Sequence, residues 1–427
     1  MRSRRLVVLI LLLASLAGAL ITGRDLFFNL LYLWLALVIG AGLWAWTSLG
    51  RLRVARQTRA LRAQVGDAIE ERLAVRNQGG LPKLWLEVRD FSDLPGHHPS
   101  QVVVSLGAGQ ERVWVARTRA QQRGRYRLGP LALTSGDPFG LFRVTRRINS
   151  TNQVVIYPAT VPLPDFPLPV GTAPGGDALR RRTHYVTPNA AGVRDYVSGD
   201  SFNRIHWRTS ARRDRLMVKE FELDPLADVW LFLDGDRTVQ AGVAAPPAEI
   251  DLQDAPWYQR AEVQRLPPTT EEYAVSVVAS LAQHFLRRDR AVGMVAYGET
   301  REVIQPDRGE RQLNKILETL AVFRAAGRLR LRDQLALEAD HLPRGATVML
   351  VTASAELSWV GYLNALKRRG VNVMAFLVNA ATFGGAHNNA ALGMTLWAGG
   401  VPAYPVRNNE DFAAALLTTG PGRPRLG

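Results

Sequence analysis

Two long runs without a charged side chain, residues 6–21 and 26–46, lie near the start of the chain with little more than Gly23-Arg24-Asp25 between them. Crossing the hydrocarbon core of a bilayer takes about 20 apolar residues in a helix. The second run meets that length and the first falls slightly short. A connection this short forces an antiparallel hairpin, with spans of about 6–22 and 26–46 and both ends on one side of a membrane. A cleaved signal segment with a small-residue site around Ala17-Gly18-Ala19 is the alternative for the first run. The second run, following almost at once, favours the hairpin.

Arginine placement gives the hairpin a direction. Arg2, Arg4 and Arg5 precede the first run, and Arg51, Arg53, Arg56, Arg59 and Arg62 follow the second, while the turn is neutral. Positive residues stay on the cytoplasmic side, so the expectation is a multi-pass protein of the cell inner or plasma membrane, with termini and soluble domains cytoplasmic. Trp44 and Trp46, near the inner edge of the second run, suit the headgroup layer.

The net charge of +15 suggests a nucleic-acid binder until it is located. Residues 1–62 contribute +8 and residues 180–219 contribute +7, so the rest of the chain sums to zero. The absence of cysteine excludes disulfides, thiolate metal sites and cysteine nucleophiles. At about 150 residues per domain, 427 residues make two to three folded units.

Residues 51–157 read as a β-rich, sandwich-like domain. Short Val/Leu/Ile-rich runs at 69–75, 84–88, 101–106, 112–115 and 154–157 alternate with Gly, Pro and Asn clusters. Arg123-Gly124-Arg125-Tyr126 and Asp137-Pro138-Phe139-Gly140 read as turns. Residues 158–222 combine a linker, with six prolines between 158 and 174, and an Arg-rich segment. From 223 to 427 strand-like runs (229–233, 291–297, 347–352, 371–378) alternate with helical ones (270–288, 312–323, 331–342, 357–368). That order implies an α/β domain with a mainly parallel sheet covered on both faces.

No phosphate loop, nucleophile elbow or zinc-protease motif is present in the sequence, and nothing argues for an enzyme. His97-His98 reads as a solvated loop pair. Two segments carry more. Residues 202–213 read as a helix capped by Asp200 or Ser201, with Arg204, Arg208 and Arg212 as one guanidinium stripe and Ile205 and Trp207 facing elsewhere to pack. Such a stripe either pairs with internal acids such as Asp195, Glu220 and Glu222, or meets an acidic protein, nucleic acid or lipid phosphate. Asp234, Asp236 and Thr238, at the end of an apolar strand, could converge on a Mg²⁺ ion.

Tyr196-Val197-Ser198-Gly199-Asp200-Ser201-Phe202-Asn203-Arg204-Ile205-His206-Trp207-Arg208-Thr209-Ser210-Ala211-Arg212 closely resembles the signature of the bacterial "domain of unknown function 58" family. The hairpin, the β-rich segment and the Arg-Gly-Arg-Tyr and Asp-Pro-Phe-Gly motifs extend the resemblance over most of the chain. The resemblance marks Gly199, Asp200, Arg204, Trp207, Arg208, Ser210 and Arg212 as signature and partner-binding positions. It implies a doubly wound von Willebrand factor A-like domain from about 223, and association with a MoxR-type AAA+ ATPase. Such domains hold a cation on Asp-x-Ser-x-Ser, a distant Thr and a second Asp. Here Asp234 matches, Asp236 and Thr238 replace the serines, Thr352-Ala353-Ser354 stands where the second Asp is expected, and no distal Thr is evident in 328–335. The expectation is a degenerate site serving as scaffold.

Together these features describe a non-enzymatic, membrane-anchored adaptor working with a MoxR-type ATPase in protein maturation or complex assembly. The alternative is a membrane-tethered binder of nucleic acid or anionic lipid through residues 180–219.

Overall fold

A computed structural model of the chain describes residues 2–163, 166, 190–197, 205–221, 228–242, 266–410 and 415. These fall into two compact units. One holds residues 2–160 with 266–279 and 317–323; the other holds the described residues of 161–242, 280–316 and those from 324 onward.

The first unit opens with helices α1 (Arg2–Thr22) and α2 (Asp25–Ser48), packed on each other. Both are long and apolar enough to cross a membrane. The last turns of α2 leave the pattern of exposure that precedes them: Ala41, Ala45 and Ser48 are buried where the helix packs on sheet strands described next.

Ten strands follow: β1 (Leu52–Thr58), β2 (Arg62–Gln64), β3 (Ala68–Asn77), β4 (Lys83–Asp90), β5 (Gln101–Leu106), β6 (Glu111–Arg119), β7 (Gly124–Leu128), β8 (Leu131–Gly136), β9 (Arg143–Ile148) and β10 (Asn152–Tyr157). They form antiparallel sheets β1-β3-β6 and β5-β4-β8-β9, plus a small mixed sheet β2-β10-β7. Leu73 and Val75 of one antiparallel sheet share a core with Leu86, Val88, Val103, Leu131 and Leu133 of the other, which makes the pair a sandwich. The α2 end packs on β8 and β9, and buried Lys83 closes it by donating to the Thr47 carbonyl at 2.8 Å.

Strict alternation along β3 turns Ile69, Glu71, Leu73, Val75 and Asn77 inward, so a carboxylate lands on the core face. It is matched there. Arg56 Nε lies 2.9 Å from Glu71 Oε1, and His97 Nε2 lies 2.8 Å from Oε2. His97 Nδ1 in turn meets Thr118 Oγ1 at 2.7 Å. His97 is therefore not a solvated loop residue, because the inward Glu71 needs a second partner. Nor is Arg123–Tyr126 simply a turn: Gly124 onward is strand β7, with Arg125 and Arg127 turned outward.

The second unit contains β11 (Ala190–Asp195), α3 (Trp207–Arg213) and β12 (Met217–Phe221), the two strands pairing antiparallel. The predicted linker segment thus contains regular structure, while most of 158–178 lies outside the described residues. Next along the chain come β13 (Val229–Asp234), α4 (Thr270–Leu286), β14 (Val292–Tyr297), β15 (Arg301–Asp307), α5 (Gly309–Val322), α6 (Leu331–Glu338), β16 (Thr347–Thr352), α7 (Val360–Arg368), β17 (Asn372–Val378), α8 (Ala390–Ala398) and β18 (Ala403–Val406), with 270–279 of α4 and 317–322 of α5 counted in the first unit. Six strands form one sheet in the order β15-β14-β13-β16-β17-β18, parallel except for the edge strand β15.

Both faces of this sheet are covered, which is why β13, β14 and β16 are buried throughout. Ala375 and Leu377 of β17 join a cluster with Leu335 of α6, Leu363 of α7 and Leu396 of α8. The intervening Phe376 stacks on Tyr404 and packs near Phe166, which meets Phe285 of α4 edge-on. The fold is mixed α/β plus β, as the alternation of apolar runs predicts.

Candidate functional site

Ile205 and His206 precede α3 in extended pairing with β12. Ile205 bridges Val218, and His206 N donates to the Met217 carbonyl at 2.8 Å. These bonds exclude helix at 205–206, so the helix predicted over 202–213 begins only at Trp207. Its N-cap is His206, whose Nδ1 accepts from Thr209 N at 3.1 Å. The proposed caps Asp200 and Ser201, with Gly199 and Arg204, lie outside the described residues.

Of the three arginines of the predicted stripe, Arg208 and Arg212 lie on α3 and share one exposed face. Ile205 is buried as expected, whereas Trp207 is not: its side chain lies in solvent, 66% exposed. Ser210 has a structural task. Its hydroxyl accepts from Met217 N at 2.9 Å and reaches back to the His206 carbonyl at 3.1 Å, stitching α3 to β12. Asp195 pairs with Arg215 at 3.1 Å on the surface.

The second candidate lies at the C-terminal end of the parallel sheet. Asp234 ends β13 and is 1% exposed. Its Oδ1 accepts from Asp236 N and from Gln334 Nε2, each at 3.0 Å, and its Oδ2 accepts from the Thr352 hydroxyl at 2.6 Å. Thr352 Oγ1 itself accepts from Ser354 N. Burial pushes the Asp234 carboxyl up to about 6, against the lowering pull of these bonds. Asp236 turns instead to Thr238, accepting from its N and Oγ1 at 2.9 and 2.8 Å.

Gly327 closes the cluster by bridging Asp236. A Cβ there would lie 2.9 Å from the Gly235 carbonyl oxygen and 3.0 Å from that of Gly298, so only glycine admits this approach.

A hard cation needs oxygen lone pairs aimed at one open point. The Asp234 oxygens are instead filled by an amide, a hydroxyl and a backbone N–H, and Asp236 Oδ1 is filled by Thr238. The residues do not fit a preformed Mg²⁺ site. Among the described residues no group of three or more His, Cys, Asp or Glu could hold a metal ion. Gln334 and Thr352, the donors that occupy Asp234, stand 100 and 118 residues away. The pairing of β13 with β16 brings Thr352 to it, and helix α6 brings Gln334.

Two membrane-span-capable helices, a β-sandwich and a parallel-rich α/β sheet define the class of this protein. Residues 192–245 match the family model "Protein of unknown function DUF58", which contains α3 and Asp234; the family resemblance drawn from residues 196–212 is thereby shown. The chain is also similar to the "Uncharacterized protein YeaD" of Bacillus subtilis (strain 168), 24% identical over 335 residues, 74% of each chain. Among solved structures, the CARDB domain of PF1109 from Pyrococcus furiosus is 22% identical and covers 25% of this chain and 91% of its own, with a TM-score of 0.18. The alkylpurine DNA glycosylase AlkC of Pseudomonas fluorescens is 15% identical over 28% of this chain and 33% of its own, with a TM-score of 0.19. Scores this low carry no inference.

Proposed function

We propose that this chain is a non-enzymatic adaptor held in the inner or plasma membrane by the α1–α2 hairpin, with its soluble units cytoplasmic. Its partner is a MoxR-type AAA+ ATPase that drives maturation or assembly of a client. The arginines flanking the hairpin support the orientation. The sheet order, with an antiparallel edge strand next to β14, supports a von Willebrand factor A-like reading of the second unit. The closed Asp234 cluster supports a scaffold in which no metal mediates the contact.

One observation carries the adaptor reading: the exposed Trp207 stands beside the exposed Arg208 and Arg212 on a short helix. Trp and Arg dominate the energetics of protein interfaces, and the charge suits an acidic partner surface. The energy comes from the partner, because the sequence has no phosphate-binding loop.

Crosslinking pull-down from native membranes tests this, comparing the wild-type chain with Trp207→Ala and with Arg208→Ala/Arg212→Ala. An AAA+ ATPase recovered with the wild type and lost with both folded variants is the expected result. Retention by folded variants removes α3 as the contact, and recovery of nucleic acid in place of a protein overturns the adaptor reading.

A further inference from the structure

The tip of the loop between β8 and β9 sits beside the point where the hairpin enters the sandwich. Asp137 builds this loop by accepting from Phe139 N at 2.9 Å, from Leu141 N at 3.1 Å and from Phe142 N. Gly140 takes a φ of 74° at its bend. Phe139 has no core to enter and stands 53% exposed.

Both helices touch this loop at one level. From α1, Arg4 donates to the Phe139 carbonyl at 3.4 Å, and Arg5 donates to the Leu141 carbonyl with its guanidinium 5.5 Å from the Phe142 ring centre. From α2, a Cβ at Gly42 would lie 3.9 Å from Phe142. Positions 5 and 42 are thus level across the hairpin, with the Gly23-Arg24 turn at its far end.

That level fixes the depth of the loop. At ~1.5 Å per residue, residues 6–22 and 25–41 each rise about 25 Å. The hydrocarbon core is ~30 Å thick. If the charged turn reaches the far headgroups, the Phe139–Phe142 level lies within about 5 Å of the near edge of the hydrocarbon, not beyond it in water. Trp46 of α2, 77% exposed a turn further on, lies in the same zone, where indoles favour the headgroup layer. Arg143, Arg146 and Arg147 are exposed on β9, the edge strand that continues from the loop. Their charge complements anionic phosphates.

We propose that the Asp137–Phe142 loop is a membrane-surface contact: Phe139 inserts into the headgroup layer of the leaflet at the base of the hairpin, and Arg143, Arg146 and Arg147 bind anionic phospholipid beside it. This rests on the reading of α1 and α2 as membrane spans. The occupant is lipid because the loop is bonded to the spanning helices themselves, at a height where the bilayer surface must pass.

The chain has no cysteine, so one introduced thiol carries one spin label. The full-length protein with Phe139→Cys, and separately with Leu35→Cys in mid-α2, is reconstituted in phosphatidylcholine vesicles with or without phosphatidylglycerol. Collision with oxygen and with a water-soluble nickel complex then reads depth. The expected result is oxygen-dominated collision at position 35 in all vesicles, and shielding from nickel at position 139 that deepens with phosphatidylglycerol. That deepening disappears when Arg143→Gln, Arg146→Gln and Arg147→Gln are added. A label at 139 as open to nickel as a free surface site, with position 35 still buried, overturns the loop contact and leaves the anchor standing. Equal shielding at 139 with and without anionic lipid overturns the arginine–phosphate part. Nickel access at position 35 overturns the anchor and the loop contact together.

Discussion

Arg56 on β1 and Glu71 on β3 face each other at 2.9 Å with neither side chain open to solvent. Arg56 also holds Asp90 and reaches the Ser150 carbonyl, so one guanidinium ties three segments of the sandwich. Removing Glu71 leaves Arg56 with Asp90 alone and takes from buried His97 Nε2 its carboxylate partner, and an unsatisfied buried polar group costs about 1–3 kcal/mol. Glu71→Leu is therefore expected to lower the unfolding midpoint sharply. Glu70→Ala, one residue away and paired with Arg59 and Arg117 in solvent, is expected to leave it nearly unchanged. Denaturant unfolding of the two variants side by side checks the contrast.

Asp234 makes stability depend on pH in an unusual direction. Its carboxyl ionises near 3.8 in the unfolded chain and at about 6 when folded. Below both values the group contributes nothing. Between them the unfolded state releases a proton that the folded state keeps, so stability falls as pH rises. Above pH 6 the full penalty of about 3 kcal/mol is present. Asp234→Asn cannot ionise, so its stability relative to wild type is expected to climb from pH 4 to 6 and then level off. Unfolding curves across that range decide it; a constant difference would contradict the assignment.

Two neighbours on α3 should behave oppositely. Ser210→Ala leaves the buried Met217 N–H without its acceptor, a loss of about 1–3 kcal/mol expected to show as faster amide exchange in β12. Trp207→Ala removes an exposed ring and should change stability by no more than about 0.5 kcal/mol.

Arg123 is fully buried in the first unit, paired with Glu271 and Glu272 and donating to the Leu320 and Phe323 carbonyls, the latter at 2.8 Å. A guanidinium fork serves all four acceptors where an ammonium cannot. Arg123→Ala takes this guanidinium from two carboxylates and two carbonyls and is expected to destabilise by about 3–5 kcal/mol, with Arg123→Lys recovering only part. Thermal unfolding of the three proteins gives the order.

The apolar runs that became β13, β16 and β17 were legible because strands buried on both faces cannot hide in polar sequence. Strand β9 was not, since an edge strand can carry Arg143, Arg146 and Arg147 outward and still pair through its backbone. The start of α3 was misplaced because helical spacing at 202–213 cannot register that Ile205 pairs with Val218, a residue thirteen positions on in the sequence. At the candidate cation cluster Asp234 was evident at its strand end. The donors that fill it were not, because Thr352 reaches it through the pairing of β13 with β16 and Gln334 through the packing of α6, both distant in sequence.

The joint between α2 and the sandwich has a mechanical consequence. Buried Ala41, Ala45 and Ser48 bring the helix close against the sheet, Lys83 clamps the Thr47 carbonyl, and β1 begins at Leu52 with hardly any intervening chain. Such a joint has no slack. A pull or twist applied to the sandwich is delivered to the hairpin as torque on a stiff lever, without a floppy tether to absorb it.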